Sequence, residues 1–221
     1  MPGFHDNPIP DSDASRRSAG AMSILVWLIV GGAVLVAVAI IWDARSRSRI
    51  QAETAKFEEA VRREVTQSFR LLRNNHPREA IEMDAAIGEK IAWLTRVYPD
   101  GYRGLRAMRL FIRSEALTLL GGEDECREAE KGFTTGLALL ERSGGETWEM
   151  GLYGRGKARY NLGEYGLAGA DFDLLVQGNP NFGAAYGWRS LARTALGDAD
   201  GAAEDETRAR VLGVWPPADA P

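Results

Sequence analysis

A chain of 221 residues has room for one ordinary domain plus a membrane anchor. Its formal net charge of −4 argues against a nucleic-acid binder, which carries a basic face. The single cysteine, Cys126, excludes an internal disulfide and a cysteine-based metal site.

Residues 1–21 hold three prolines, several Asp and Ser residues and few large apolar groups, and read as a disordered tail. From Met22 to Trp42 there are 21 residues without a charge. As a helix they would span about 32 Å, the thickness of a hydrocarbon core. Residues 22–42 therefore predict a single transmembrane helix, with the lipid bilayer as one partner and Trp27 and Trp42 towards the interfaces. A cleaved signal peptide is the competing reading, with Ala37-Val38-Ala39 as a cleavage-like triplet. The apolar run continues past that triplet through Ile40, Ile41 and Trp42, which disfavours it. Arg16 and Arg17 precede the run, and Arg45, Arg47, Arg49 and Lys56 follow it. That asymmetry predicts the following domain on the cytoplasmic side, the periplasmic or extracytoplasmic side being the alternative.

Residues 43–75 continue as an amphipathic stalk helix, with Ile50, Phe57, Val61, Val65, Phe69 and Leu72 on one stripe. The stripe either docks on the domain that follows or pairs with a second chain. Its spacings make no sustained heptad seam, and docking is the simpler expectation. Asn74-Asn75-His76-Pro77 breaks the helix, and Pro77 suits the first turn of the next. Ala80, Met83, Ile87, Ile91, Leu94 and Tyr98 then recur every three or four residues. Pro99-Asp100-Gly101 makes a turn. Further helices are predicted at about residues 102–120 and 125–142, separated by Gly121-Gly122. No strand signal is present. Residues 76–214 thus predict a helical domain, and residues 215–221, opening on Trp215-Pro216-Pro217, a tail.

The segment NLGEYGLAGADFDLLVQGNPN, residues 161–181, has an echo 34 residues later. Gly163 maps to Gly197, and Ala168 to Ala202. A fixed period of this size is the signature of stacked helical hairpins. The two glycines suit left-handed helix caps, and the alanines let helices approach closely. Pro180 follows the second helix and starts the next turn. With Glu149 as position one, Gly156, Gly163, Ala168, Phe172 and Pro180 fall where the tetratricopeptide repeat wants a small residue, glycine, a small residue, an aromatic and proline. From Gly183 the pattern recurs more weakly at Ser190, Gly197, Ala202 and Ala209, with Glu206 and Val214 departing from it. Ala129, Phe133 and Gly136 keep the spacing in an earlier, degenerate unit. Residues 102–214 therefore resemble the tetratricopeptide repeat family, which implies an all-α fold: here, one transmembrane helix and a short solenoid of helical hairpins.

In that family the first helix of each repeat lines a concave groove for a peptide. The resemblance implies Met150, Tyr153, Lys157, Tyr160 and Asn161, then Ala184, Gly187, Leu191 and Thr194, as groove positions. The partner-binding candidates among these are Met150, Tyr153, Lys157, Tyr160, Asn161, Leu191 and Thr194. Tyrosine beside a cation gives contact area with a polar handle, though tyrosines also pack between repeats. Arg159 and Arg193 occupy equivalent places, and salt bridges to the neighbouring helix are the expectation for them. His5 and His76 have no neighbour at metal-ligand or triad spacing. No catalytic residue, cofactor, metal or small-molecule substrate is expected. The chain reads as a non-catalytic, membrane-anchored scaffold that holds a protein partner, or a peptide segment of one, in the groove. The alternative is a structural accessory subunit of a membrane complex, assembled through the transmembrane and stalk helices.

Overall fold

The structure, a computed structural model, describes residues 12–99, 101–140 and 145–217; of residues 12–34 and 36–38 it describes the backbone alone. The chain forms two units, Met1–Ala55 and Lys56–Pro221. Eight helices are present among the described residues: α1 (Ser12–Arg73), α2 (Pro77–Val97), α3 (Arg103–Leu120), α4 (Glu123–Leu139), α5 (Glu146–Asn161), α6 (Tyr165–Gly178), α7 (Gly183–Leu196) and α8 (Ala199–Val211). No strand occurs among those residues.

The first unit consists of α1 up to Ala55. Residues 12–21, read as part of a disordered tail, are helical, and residues 1–11 lie outside the described residues. Among the described residues no helix is long and apolar enough to cross a membrane. This corrects the expectation of a single-pass membrane protein. Most of the side chains of residues 22–42 lie outside the described residues. Those described are Leu35 and residues 39–42, all of them exposed.

The second unit is built from paired helices. The last turns of α1 pair with α2, and the pairs α3/α4, α5/α6 and α7/α8 follow. Val61, Val65 and Leu72 share a core with Ala80, Ile87, Ile91 and Leu94 of α2 and with Ile112 and Ala116 of α3. That part of the amphipathic stripe therefore docks within its own chain, and Lys90 Nζ bonds Glu64 Oε1 at 2.8 Å beside it. A second core runs through Phe111, Phe133, Phe172 and Trp188 of α3, α4, α6 and α7.

Glycine caps set the hairpin period. The Gly163 N–H donates to Tyr160 O and the Glu164 N–H to Arg159 O, both at 2.9 Å. One period on, the Gly197 N–H donates to Thr194 O at 3.1 Å and the Asp198 N–H to Arg193 O at 2.9 Å. These paired bonds satisfy the last carbonyls of each helix and require a left-handed residue. Gly163 has φ 74° and Gly197 has φ 82°. Pro77 lies in the first turn of α2, where a missing N–H is harmless. Asp198 caps α8 by accepting from the Gly201 N–H at 3.0 Å.

The stacking has a direction. Helices α3 and α5 touch, as do α5 and α7, whereas α4 with α6 and α6 with α8 do not. The first helices of the pairs are thus gathered together and the second helices splayed apart. This makes the α3–α5–α7 side the inner one.

Candidate functional site

On the inner side a cleft of about 650 Å³ opens between the end of α1 and helices α3, α4 and α5. Phe69 and Leu72 come from α1, Phe111, Glu115 and Leu119 from α3, Phe133 from α4, and Met150 and Tyr153 from α5. Phe111, Glu115 and Leu119 recur every four residues, so a single face of α3 supplies its wall. Phe111 and Phe133 are buried and form the floor, with ring centroids 5.8 Å apart. Phe69, Met150 and Tyr153 are half-buried. Arg73 and Asn75, both exposed, stand at the edge.

The local sequence explains how the helices come this close. A Cβ on Gly151 would lie 2.5 Å from the Phe111 ring, and one on Gly156 would lie 2.7 Å from the Phe172 ring. Gly136 packs on Phe111 and Gly154 on Phe133 in the same way. Glycine here is a packing residue, leaving room for a phenylalanine from the neighbouring helix.

The carboxylate on the cleft wall, Glu115, has its own counter-charge. Lys157, only 4% exposed, donates from Nζ to Glu115 Oε1 at 2.6 Å and sits 5.1 Å from the centre of the Tyr153 ring. A cation taken from water needs such partners.

No protein-family model matches the sequence, and no curated protein matches it. By structure, the chain is similar to the solved structure described as MamA RS-1 ArsTM double mutant, with a TM-score of 0.50 and 21% identity over 69% of this chain and 74% of that one. The fold is of the tetratricopeptide-like kind. At that identity the likeness concerns architecture alone, and it agrees with the stacked hairpins and their glycine caps.

Within that architecture the expected groove residues separate. Met150 and Tyr153 line the cleft. Lys157 lies behind it, bound to Glu115. Tyr160 packs edge-on against Tyr165 and Trp188, at centroid distances of 5.1 and 5.3 Å. Burial, and then the neighbouring Tyr165, push its hydroxyl pKa up. Asn161 is exposed at the end of α5, and Leu191 packs against the hydrophobic core. Thr194 is exposed and donates to Ser190 O of its own helix at 2.9 Å. At α7 the inner surface is partly covered by the chain itself: Pro217 is buried against Gly187, and Val214 packs on Gly183. Pro217 belongs to the segment expected to be a tail, whose Pro216 is exposed; residues 218–221 lie outside the described residues.

Two features escaped the sequence reading. One is the contribution of Phe69, Leu72, Phe111, Glu115 and Leu119, because only the two best repeats carried the groove assignment. The fourfold spacing of Phe111, Glu115 and Leu119 was the available signal. The other is a repeated ionic clamp. Arg155 and Arg159 of α5 hold Asp171 of α6, with contacts of 2.7 and 2.9 Å. Arg189 and Arg193 of α7 hold Asp205 of α8, at 2.5 and 2.9 Å. Salt bridges were expected of Arg159 and Arg193, but not the buried carboxylates that receive them.

Proposed function

We propose that the second unit is a non-catalytic protein-interaction module whose working surface is the cleft between α1, α3, α4 and α5. One observation carries this reading. Half-buried Phe69, Met150 and Tyr153 from two different helices surround a cleft with an aromatic floor. Aromatic residues and Met are the types enriched at the cores of protein interfaces. Tyr153 offers a rigid apolar surface at low entropic cost, and a peptide side chain seated on Phe111 and Phe133 would be largely removed from water. Glu115 and Lys157 neutralise each other, so the interior of the cleft favours an apolar anchor, with Arg73 as a cation at its edge.

Photo-crosslinking in the source cells tests this reading. A benzoylphenylalanine placed at Met150 or at Leu119 should capture one and the same protein. The same group at the exposed Leu196 or Val211 should not. If cleft and control positions capture the same proteins, or the cleft captures none, the reading fails.

A further inference from the structure

A second cleft, of about 470 Å³, lies between α2, α3 and α4. At roughly 100° per residue, Arg106, Arg109 and Leu110 occupy the side of α3 opposite Phe111, Glu115 and Leu119. The two clefts therefore use opposite faces of the same helix. Ile91, Leu110 and Leu139 give this one an apolar floor, and Arg96, Arg106 and Arg109 stand around it. None of the described residues lining it is acidic.

The three arginines differ in their state. Arg109 is committed: its Nε and Nη2 donate to the two carboxylate oxygens of buried Asp84, both at 2.7 Å. To do so it crosses Gly88, where a Cβ would lie 2.6 Å from its guanidinium carbon. Arg96 and Arg106 are exposed, and neither makes an ion pair among the described residues. Arg106 also lies in the first turn of α3, a turn without an acidic residue. Cations there are opposed by the helix dipole. In a chain of net charge −4, two arginines without a counter-charge among the described residues stand over an apolar floor and form a localised positive site.

We propose that this cleft docks an acidic segment of a protein partner. Its carboxylates pair with Arg96 and Arg106, and an apolar side chain between them rests on Ile91, Leu110 and Leu139. The complementarity is of charge at the rim and of apolar surface at the floor, the division found in specific interfaces. This site stands independently of the inner cleft.

The test is fluorescence anisotropy on the full chain with a labelled peptide of alternating leucine and glutamate. Arg96→Gln/Arg106→Gln should weaken binding by about tenfold. Arg62→Gln/Arg63→Gln removes the same charge from exposed positions on α1 and should change it by less than about twofold. Ala92→Glu, at an exposed position lining the cleft, should also weaken binding while leaving every arginine in place. Circular dichroism checks that each variant is folded. Equal weakening by the two arginine pairs would mean diffuse attraction and overturn the proposal, as would no saturable binding of the peptide. Vesicles of phosphatidylcholine with about a fifth phosphatidylserine are the remaining probe. If the cleft variant loses the vesicles but keeps the peptide, the occupant is an anionic lipid surface and the proposal is wrong.

Discussion

Asp205 repeats Asp171 one 34-residue period along the chain: each is buried, and each is held by two arginines one turn apart on the preceding helix. The side chains of Asp171 and Asp205 are each 3% exposed, and Arg155, Arg159 and Arg189 are at most 16% exposed. Removing one partner of a buried pair strands the other charge, which is the costly event. Asp171→Ala should therefore lower the unfolding free energy by about 3 kcal/mol, the lower end of the range because Arg159 keeps Glu130 at 2.8 Å. Urea unfolding followed by circular dichroism measures it. A loss below about 0.5 kcal/mol would mean that the clamp behaves as a surface ion pair.

The same chemical change should have opposite signs at two glycines. Gly154 faces the buried ring of Phe133, so a methyl there overpacks the core. Gly169, within α6, has nothing within 4 Å of its Cβ position. Gly169→Ala should stabilise by about 0.5–1 kcal/mol through helix propensity. Gly154→Ala should destabilise by about 1–2 kcal/mol, the overpacking exceeding that gain. Thermal melts of the two variants side by side decide it, and a Gly154→Ala variant as stable as the parent or more so would contradict the packing role of Gly154.

Tyr102 links the start of α3 to α1, its hydroxyl donating to Glu58 Oε1 at 2.5 Å. Burial first, and then Glu58, raise its pKa from 10.0 to about 12. The folded state thus holds this proton more tightly than the unfolded one. Its contribution to stability is fully present below pH 10.0 and is lost as pH rises towards about 12. Tyr102→Phe should be less stable than the parent at pH 9, with the difference shrinking by pH 12. Urea midpoints across that range test it, and a difference that grows with pH would contradict the sign.

Cys126 is 1% exposed, and burial raises its thiol pKa. The thiolate is the reactive species. Ellman's reagent at neutral pH should therefore label the folded chain far more slowly than the chain in urea. Comparable rates would show that α4 opens readily.

Much of the fold was legible because it rests on short-range rules. Gly163 and Gly197 announced their caps, Pro77 the start of α2, and the stripe from Val61 to Leu72 its burial. The site was less legible. Tyr153 and Tyr160 are seven residues apart on α5 and look alike as groove positions. The structure turns one to the cleft and the other to Trp188, a residue of the next pair 28 positions along the chain. The ionic clamps were hidden for a different reason. Arg and Asp on helices ordinarily face water, and only the pairing of α5 with α6 and α7 with α8 shows that Asp171 and Asp205 do not.

The arginines also give the stack a polarity. Besides holding its own Asp205, Arg189 reaches back to Asp173 of the preceding pair at 2.7 Å. Arg155, its counterpart one period earlier, reaches Thr134 at 3.4 Å. Thr134 and Asp173 are therefore the sockets into which the next pair plugs, the second a charged one. One period beyond Asp173 lies Thr207, a neutral hydroxyl. A duplicate of the α7/α8 hairpin grafted onto α8 would bring its arginine to a socket without a carboxylate. Thr207→Asp is the single exchange that would give a chimera of this kind the same lock.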